Sequence, residues 1–260
     1  MKRITLGGTI LLGAMVMVAA SCGGSSGSFS ANSGGHAKGN APTTRENTMR
    51  ASYSPDINPS DFTTTIDNEY FPLKPGTTFV YKGKFHGVPE RDVMAVTHDT
   101  KRVMGVKCLV ASDRVTEGGK LIEQTYDWYA QDTKGNVWYF GEHVTEYKNG
   151  QVTGHEGSWE SGVDGAKPGI AMQANPASGQ VYRQEYSKGV AEDKARVISL
   201  KGSAEVPYGS FDHVLVTEEF TPIEPGVVER QYYVAGVGDI IESTVKGQPE
   251  RIELVAVKRG

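Results

Sequence analysis

Glu142-His143 and His155-Glu156, followed by Asp164, gather two imidazoles and several carboxylates into one stretch of the 260-residue chain. A histidine supported by carboxylates can serve as a general base or hold a metal ion, so this set outlines a metal-dependent hydrolase working under a loop. The outline is not completed. The body contains no His-Glu-x-x-His, no Gly-x-Ser-x-Gly elbow and no Gly-x4-Gly-Lys, and Asp132-Thr-Lys-Gly-Asn136 lacks the carboxylate spacing of a calcium loop. His86, His98 and His213 fit strand edges as readily as ligand positions. The balance is against an enzyme, and neither a cofactor nor a metal is expected.

The two cysteines have separate roles. Met1-Lys-Arg3, the apolar or small stretch from Ile4 to Ala20, and Val18-Ala-Ala-Ser-Cys22 make a secretory leader ending at a modifiable thiol. This ending resembles the bacterial lipobox, departing from it at Ala19, where that family usually has Leu. The resemblance covers about the first two dozen residues and implies cleavage before Cys22, lipid (palmitate among its chains) on that residue, and attachment to a membrane without a spanning helix. It places the protein in the cell envelope. Gly23 is not the Asp that often retains such lipoproteins at the inner membrane, so the outer membrane is expected in a host with two membranes, and the outer face of the cell membrane otherwise. Cys108, in Val106-Lys-Cys-Leu-Val110, is then left without an intrachain partner and reads as a buried, inert thiol. Loss of Lys2 and Arg3 with the leader takes the formal charge from −4 to −6, which excludes a nucleic-acid surface built on clustered Lys and Arg.

A binding role rests on aromatic residues. Tyr126 to Gln131 and Val137 to Gly141 flank the turn Asp132 to Asn136 and predict a hairpin, with Trp128 and Ala130 on one face and Asp127, Tyr129 and Gln131 on the other. Trp128, Trp138, Tyr139 and Trp159 are candidates to line an apolar groove for a hydrophobic ligand. The same rings can equally be core packed under a covering segment.

These residues need elements to hold them. Residues 1–21 form the leader, 22–64 a Gly/Ser/Asn-rich tether able to reach about 30 Å from the lipid, and 65–260 a single domain. Within the domain, strand-prone runs succeed each other with turns such as Pro75-Gly76, Glu117-Gly-Gly-Lys120 and Lys148-Asn-Gly-Gln151. Those connections are too short for crossover helices, so the pairing is expected to be antiparallel. The rhythm breaks only over 154–179, rich in Gly and Pro, which predicts a long cover strip pinned by Trp159 and Met172.

Pro72-Leu-Lys-Pro-Gly-Thr-Thr-Phe-Val-Tyr81, Val206-Pro-Tyr-Gly-Ser-Phe-Asp-His-Val214 and Tyr232-Tyr-Val-Ala-Gly-Val-Gly238 resemble recurring signatures of poorly characterised bacterial envelope lipoproteins. That resemblance implies a strongly curved antiparallel sheet likened to the half-barrel of lipoprotein carriers. The fold class expected is therefore mainly β: a curved antiparallel meander or half-open barrel with few helices. The function expected is non-enzymatic binding of a hydrophobic or amphiphilic ligand by a lipid-anchored envelope protein, with display of a β module to another envelope protein as the alternative.

Overall fold

The computed structural model describes residues 53–260. The leader, Cys22 and the tether up to residue 52 lie outside the described residues. The strands are β1 (Phe62–Thr63), β2 (Thr77–Phe85), β3 (Val88–Val103), β4 (Val106–Glu117), β5 (Lys120–Asp132), β6 (Val137–Lys148), β7 (Gln151–Gly154), β8 (Trp159–Glu160) and β9 (Lys167–Met172). They continue as β10 (Val181–Arg183), β11 (Glu185–Tyr186), β12 (Lys194–Val206), β13 (Gly209–Phe220), β14 (Val228–Val234), β15 (Gly238–Lys246) and β16 (Glu250–Arg259). A single 3-10 turn, Pro59–Asp61, is the one helical element among the described residues.

Two antiparallel meanders, β2 to β6 and β12 to β16, are joined where the last strand pairs with the first long one, Leu254 opposite Tyr81 and Arg259 opposite Thr77. The sheet order runs from β10 through β12–β16, β2–β6 and β9 to β11. Its two ends, β10 and β11, are neighbouring pieces of chain separated by Gln184 alone. The sheet has therefore curled into a barrel that is nearly closed, with a seam at Gln184 that no ladder seals. Closing a sheet in this way leaves few free edges.

The stretch 154–179 is not a cover strip. Trp159 and Met172 are buried as expected, but Lys167–Met172 is a strand of the wall itself, paired with β6 on one side and β11 on the other. Gly169 explains why the periodicity hid it. A Cβ there would lie 2.3 Å from the backbone of Gln184, so the wall closes only over a residue without a side chain. The run 180–186, expected as one strand, is split by the seam, β10 pairing with β12 and β11 with β9. Residues 53–64, expected in the tether, pack on the outer face: β1 pairs with β5, and Phe62 meets Phe140 and Trp138 edge-on at 5.4 and 6.1 Å. With Ile57 they cover an outer cluster of Val103, Val106, Cys108, Val110, Trp128, Ala130 and Phe140.

Residues 66–73 form a floor across one end of the barrel. The Asn68 side chain donates to Gly135 O at the β5–β6 turn (2.9 Å), while Glu69 O accepts from Gly236 N at the β14–β15 turn (2.7 Å). The Gln131 carboxamide oxygen accepts from the backbone N–H groups of Asp67 and Asn68 at 3.0 and 2.9 Å. Ile66, Phe71 and Leu73 join the inner core, Phe71 against Tyr129 at 5.4 Å. Replacing Phe71 with Ala removes the ring that seats this floor. We expect urea denaturation to show a loss of about 3–5 kcal/mol, whereas a loss under about 1 kcal/mol would mean that the segment only rests on the barrel.

Candidate functional site

On the inner wall, side chains change character with distance from the floor. Along β5 the inward positions read Gln131, Tyr129, Asp127, Thr125, Glu123, all buried. On β3 they read Val96, Met94, Asp92, Glu90, and on β13 Leu215, Thr217, Glu219. The tiers match across strands: Tyr129 faces Tyr139 and Asp127 faces Glu142 on β5–β6, while Leu215 faces Tyr233, Thr217 faces Gln231 and Glu219 faces Glu229 on β13–β14. Residues of period two on one face produce such tiers wherever the register holds. An apolar and aromatic tier thus lies over the floor, and an acidic tier lies beyond it.

Gly141 sets the register of the acidic tier. Between Tyr139 and Glu142 the β5–β6 ladder slips by one residue, with Gly141 at φ +135°. This bulge reverses the facing of the residues downstream of it, turning Glu142 inward and His143 outward. A Cβ on Gly141 would stand 2.4 Å from Trp159 O, so no other residue fits. The hydrolase set is dispersed as a result. His143 and His155 stack at 5.0 Å, with His155 Nδ1 2.7 Å from Val144 O, while Glu142 lies on the opposite face of the wall. Among the described residues no group of three His, Cys, Asp or Glu side chains could hold a metal ion.

The aromatic candidates fall into two pairs. Tyr139 and Trp159 belong to the inner core, edge to face at 5.3 Å. Trp128 and Trp138 belong with the outer cluster, and the Lys101 ammonium, paired with Glu160 at 2.7 Å, covers the Trp128 ring at 3.2 Å. Cys108 is fully buried in that outer cluster, and burial pushes its thiol up to about 12, as expected for an inert group.

The electrostatics of the inner wall are one-sided. Twelve Asp and Glu side chains are buried among the described residues, and no Lys, Arg or His is. Burial first, then the charge of Asp113, pushes Asp127 up to about 8, against the pull of the Tyr139 hydroxyl that donates to it at 2.7 Å. Glu219 is likewise pushed up to about 8 by burial, although the Gln184 amide donates to it at 2.8 Å. Burial and then neighbouring carboxylates raise Asp92, Glu142, Glu229 and Glu242. Several polar atoms of this wall have no hydrogen-bond partner in the fold: the Gln231 carbonyl oxygen, Thr217 Oγ1, Glu142 Oε1 and one oxygen each of Glu229 and Glu242. Buried groups are ordinarily satisfied, which sets these atoms apart from the rest of the core.

This acidic tier does not stand out in the sequence. Its signal was present as acids spaced two residues from aromatics or amides, in Asp127/Tyr129 and Glu229/Gln231/Tyr233. In an open sheet that spacing reads equally well as a solvated face.

No protein-family model matches the chain, and no curated protein shows significant similarity to it. Among solved structures, a protein of Bacteroides fragilis NCTC 9343 described as exported, with a YmcC-like fold, is similar over 74% of this chain and 100% of its own, at 13% identity and a TM-score of 0.45. A protein of Parabacteroides distasonis ATCC 8503 described as a lipoprotein is similar over the same shares, at 13% identity and a TM-score of 0.40.

Raised carboxyl groups give a definite pH dependence. The folded chain holds protons on Asp127 and Glu219 up to about pH 8, while the unfolded chain releases them near about pH 4. Their contribution to stability is therefore complete at the lower value and is lost as pH rises through the higher one. We expect the melting temperature of the ligand-free protein to fall between pH 5 and pH 8. We expect Asp127→Asn combined with Glu219→Gln to flatten that slope. A melting temperature that rises over this interval would contradict the assignment.

Proposed function

We propose that this chain is a lipid-anchored protein of the bacterial cell envelope whose barrel interior binds a hydrophobic or amphiphilic ligand. The anchor rests on the leader and on Cys22, and the expected membrane is the outer one in a two-membrane host. The binding reading is supported by one observation: the inner wall pairs an aromatic tier with buried polar groups that have no partner within the fold. A protein stabilised only by its own core would satisfy those groups or replace them with apolar ones, since each costs roughly 1–3 kcal/mol when left unmade. Tyr139 and Trp159 belong to the proposed binding wall. Trp128 and Trp138 pack the outer face and hold the residue 53–64 segment. Recognition would combine contact with the rings and a few convergent polar groups, the usual composition of a small-molecule site.

The test uses the chain carrying Cys22→Ser, purified from its own host. Two results are expected: the variant moves from the membrane to the soluble fraction, and native mass spectrometry finds an amphiphile bound to it. Thr217→Trp, which puts a large ring at a fully buried inward position, should abolish the bound mass at a stability cost of about 1–3 kcal/mol. Protein that is always empty, or that co-purifies in a fixed ratio with another polypeptide, would favour the display of a β module to an envelope partner instead.

A further inference from the structure

We propose that the ligand taken by this interior carries a protonated amine, its ammonium group lodged in the acidic tier and its apolar part against the aromatic tier. The inference rests on the binding reading above and deepens it by naming the charge of the ligand.

The argument begins with pairs of like charge. Asp127 and Glu142 stand directly opposite each other across β5–β6, and Glu219 and Glu229 do so across β13–β14. Carboxylates so placed repel, and in a buried site the repulsion is not screened by solvent. The protein has two ways to relieve it: to keep protons on the pairs, or to admit a cation between them. The raised affinities for protons serve the first in the empty state.

The second is indicated by polar groups that stand bare beside the acids. Gln231 is fully buried and lies on the inward face between Thr217 and Glu242 in register; its amide is directed at Glu242, and its carbonyl oxygen has no hydrogen-bond partner. Thr217 Oγ1 beside it is equally bare. Acceptors on Gln231, Thr217, Glu229 and Glu242 converge on the same tier, and an ammonium group, with up to three donors and no acceptor, complements such a set. A carboxylate or phosphate headgroup would gain no charge pairing from the acids, which would have to stay protonated to receive it. A bare metal ion is disfavoured by the absence of a three-ligand cluster among the described residues. The aromatic tier a short distance along the same wall, with Tyr129 and Tyr139 stacked at 4.9 Å, then receives the apolar portion, and ring faces add attraction for any alkylammonium near them.

The experiment compares three probes of matched tail on the mature chain carrying Cys22→Ser, each below its micelle concentration, by isothermal titration calorimetry: dodecylammonium, the neutral dodecyl maltoside and dodecyl sulfate. We expect the cationic probe to bind at least about tenfold more tightly than the neutral one, and dodecyl sulfate to bind least. Asp127→Asn with Glu142→Gln keeps shape while removing charge, and should weaken the cationic probe about tenfold with little change for the neutral one. Circular dichroism confirms that the variant is folded. Equal binding of cationic and neutral probes, or an unchanged preference in the variant, overturns the inference while leaving an interior binding site in place. Equal binding by spermidine, which has amines and no tail, also overturns it. Failure of all probes overturns the binding reading itself.

Discussion

Four carboxyl groups that face one another in pairs inside a β-barrel, Asp127 with Glu142 and Glu219 with Glu229, are the constraint to which the rest of this molecule answers. A sheet that served only to enclose a core would not place acids opposite acids, because burial and repulsion act together against their charged forms. Here the cost is met by raised proton affinity in the empty protein, by hydroxyl and amide donors from Tyr139 and Gln184, and by the aromatic tier that carries the apolar packing below.

The wall is built so that this arrangement cannot drift. One residue of slippage in β5 or β6 would turn Asp127 or Glu142 to the outside and carry Trp128 or His143 inward. The bulge at Gly141 locks the facing of Glu142, and the close approach of Trp159 O leaves room there for no side chain. The floor does similar work at the barrel end. Asn68 and Glu69 tie the β5–β6 turn to the β14–β15 turn, so the two meanders that carry the acid pairs are held across the barrel by a short piece of chain. Residues 53–64 continue the clasp on the outside, where Phe62 and Ile57 cover Trp128 and Phe140.

Much of this was legible in the residues. The alternation that put Trp128 and Ala130 opposite Asp127, Tyr129 and Gln131 is the division found between outer cluster and inner wall. Short Gly-rich turns gave antiparallel neighbours, and Cys108 is the buried thiol its apolar surroundings suggested. Three things were not legible, each for a physical reason. The strand at Lys167–Met172 was disguised by Pro168 and Gly169, whose lack of side chain is what lets the seam close. Convergence of Glu142-His143 with His155-Glu156 and Asp164 asks two adjacent residues to serve one site, whereas a strand sends Glu142 and His143 to opposite faces. The acidic tier could not be distinguished from a solvated face, because only closure of the sheet, a long-range event set by β16 meeting β2, makes that face an interior.

The central claim is that the paired carboxyl groups are protonated inside the empty barrel at neutral pH. Carboxyl-carbon NMR titration of the ligand-free protein, with Asp127 and Glu219 assigned through their amide variants, reads this directly. The account predicts midpoints near about 8 for both; midpoints in the ordinary range near about 4 would contradict it.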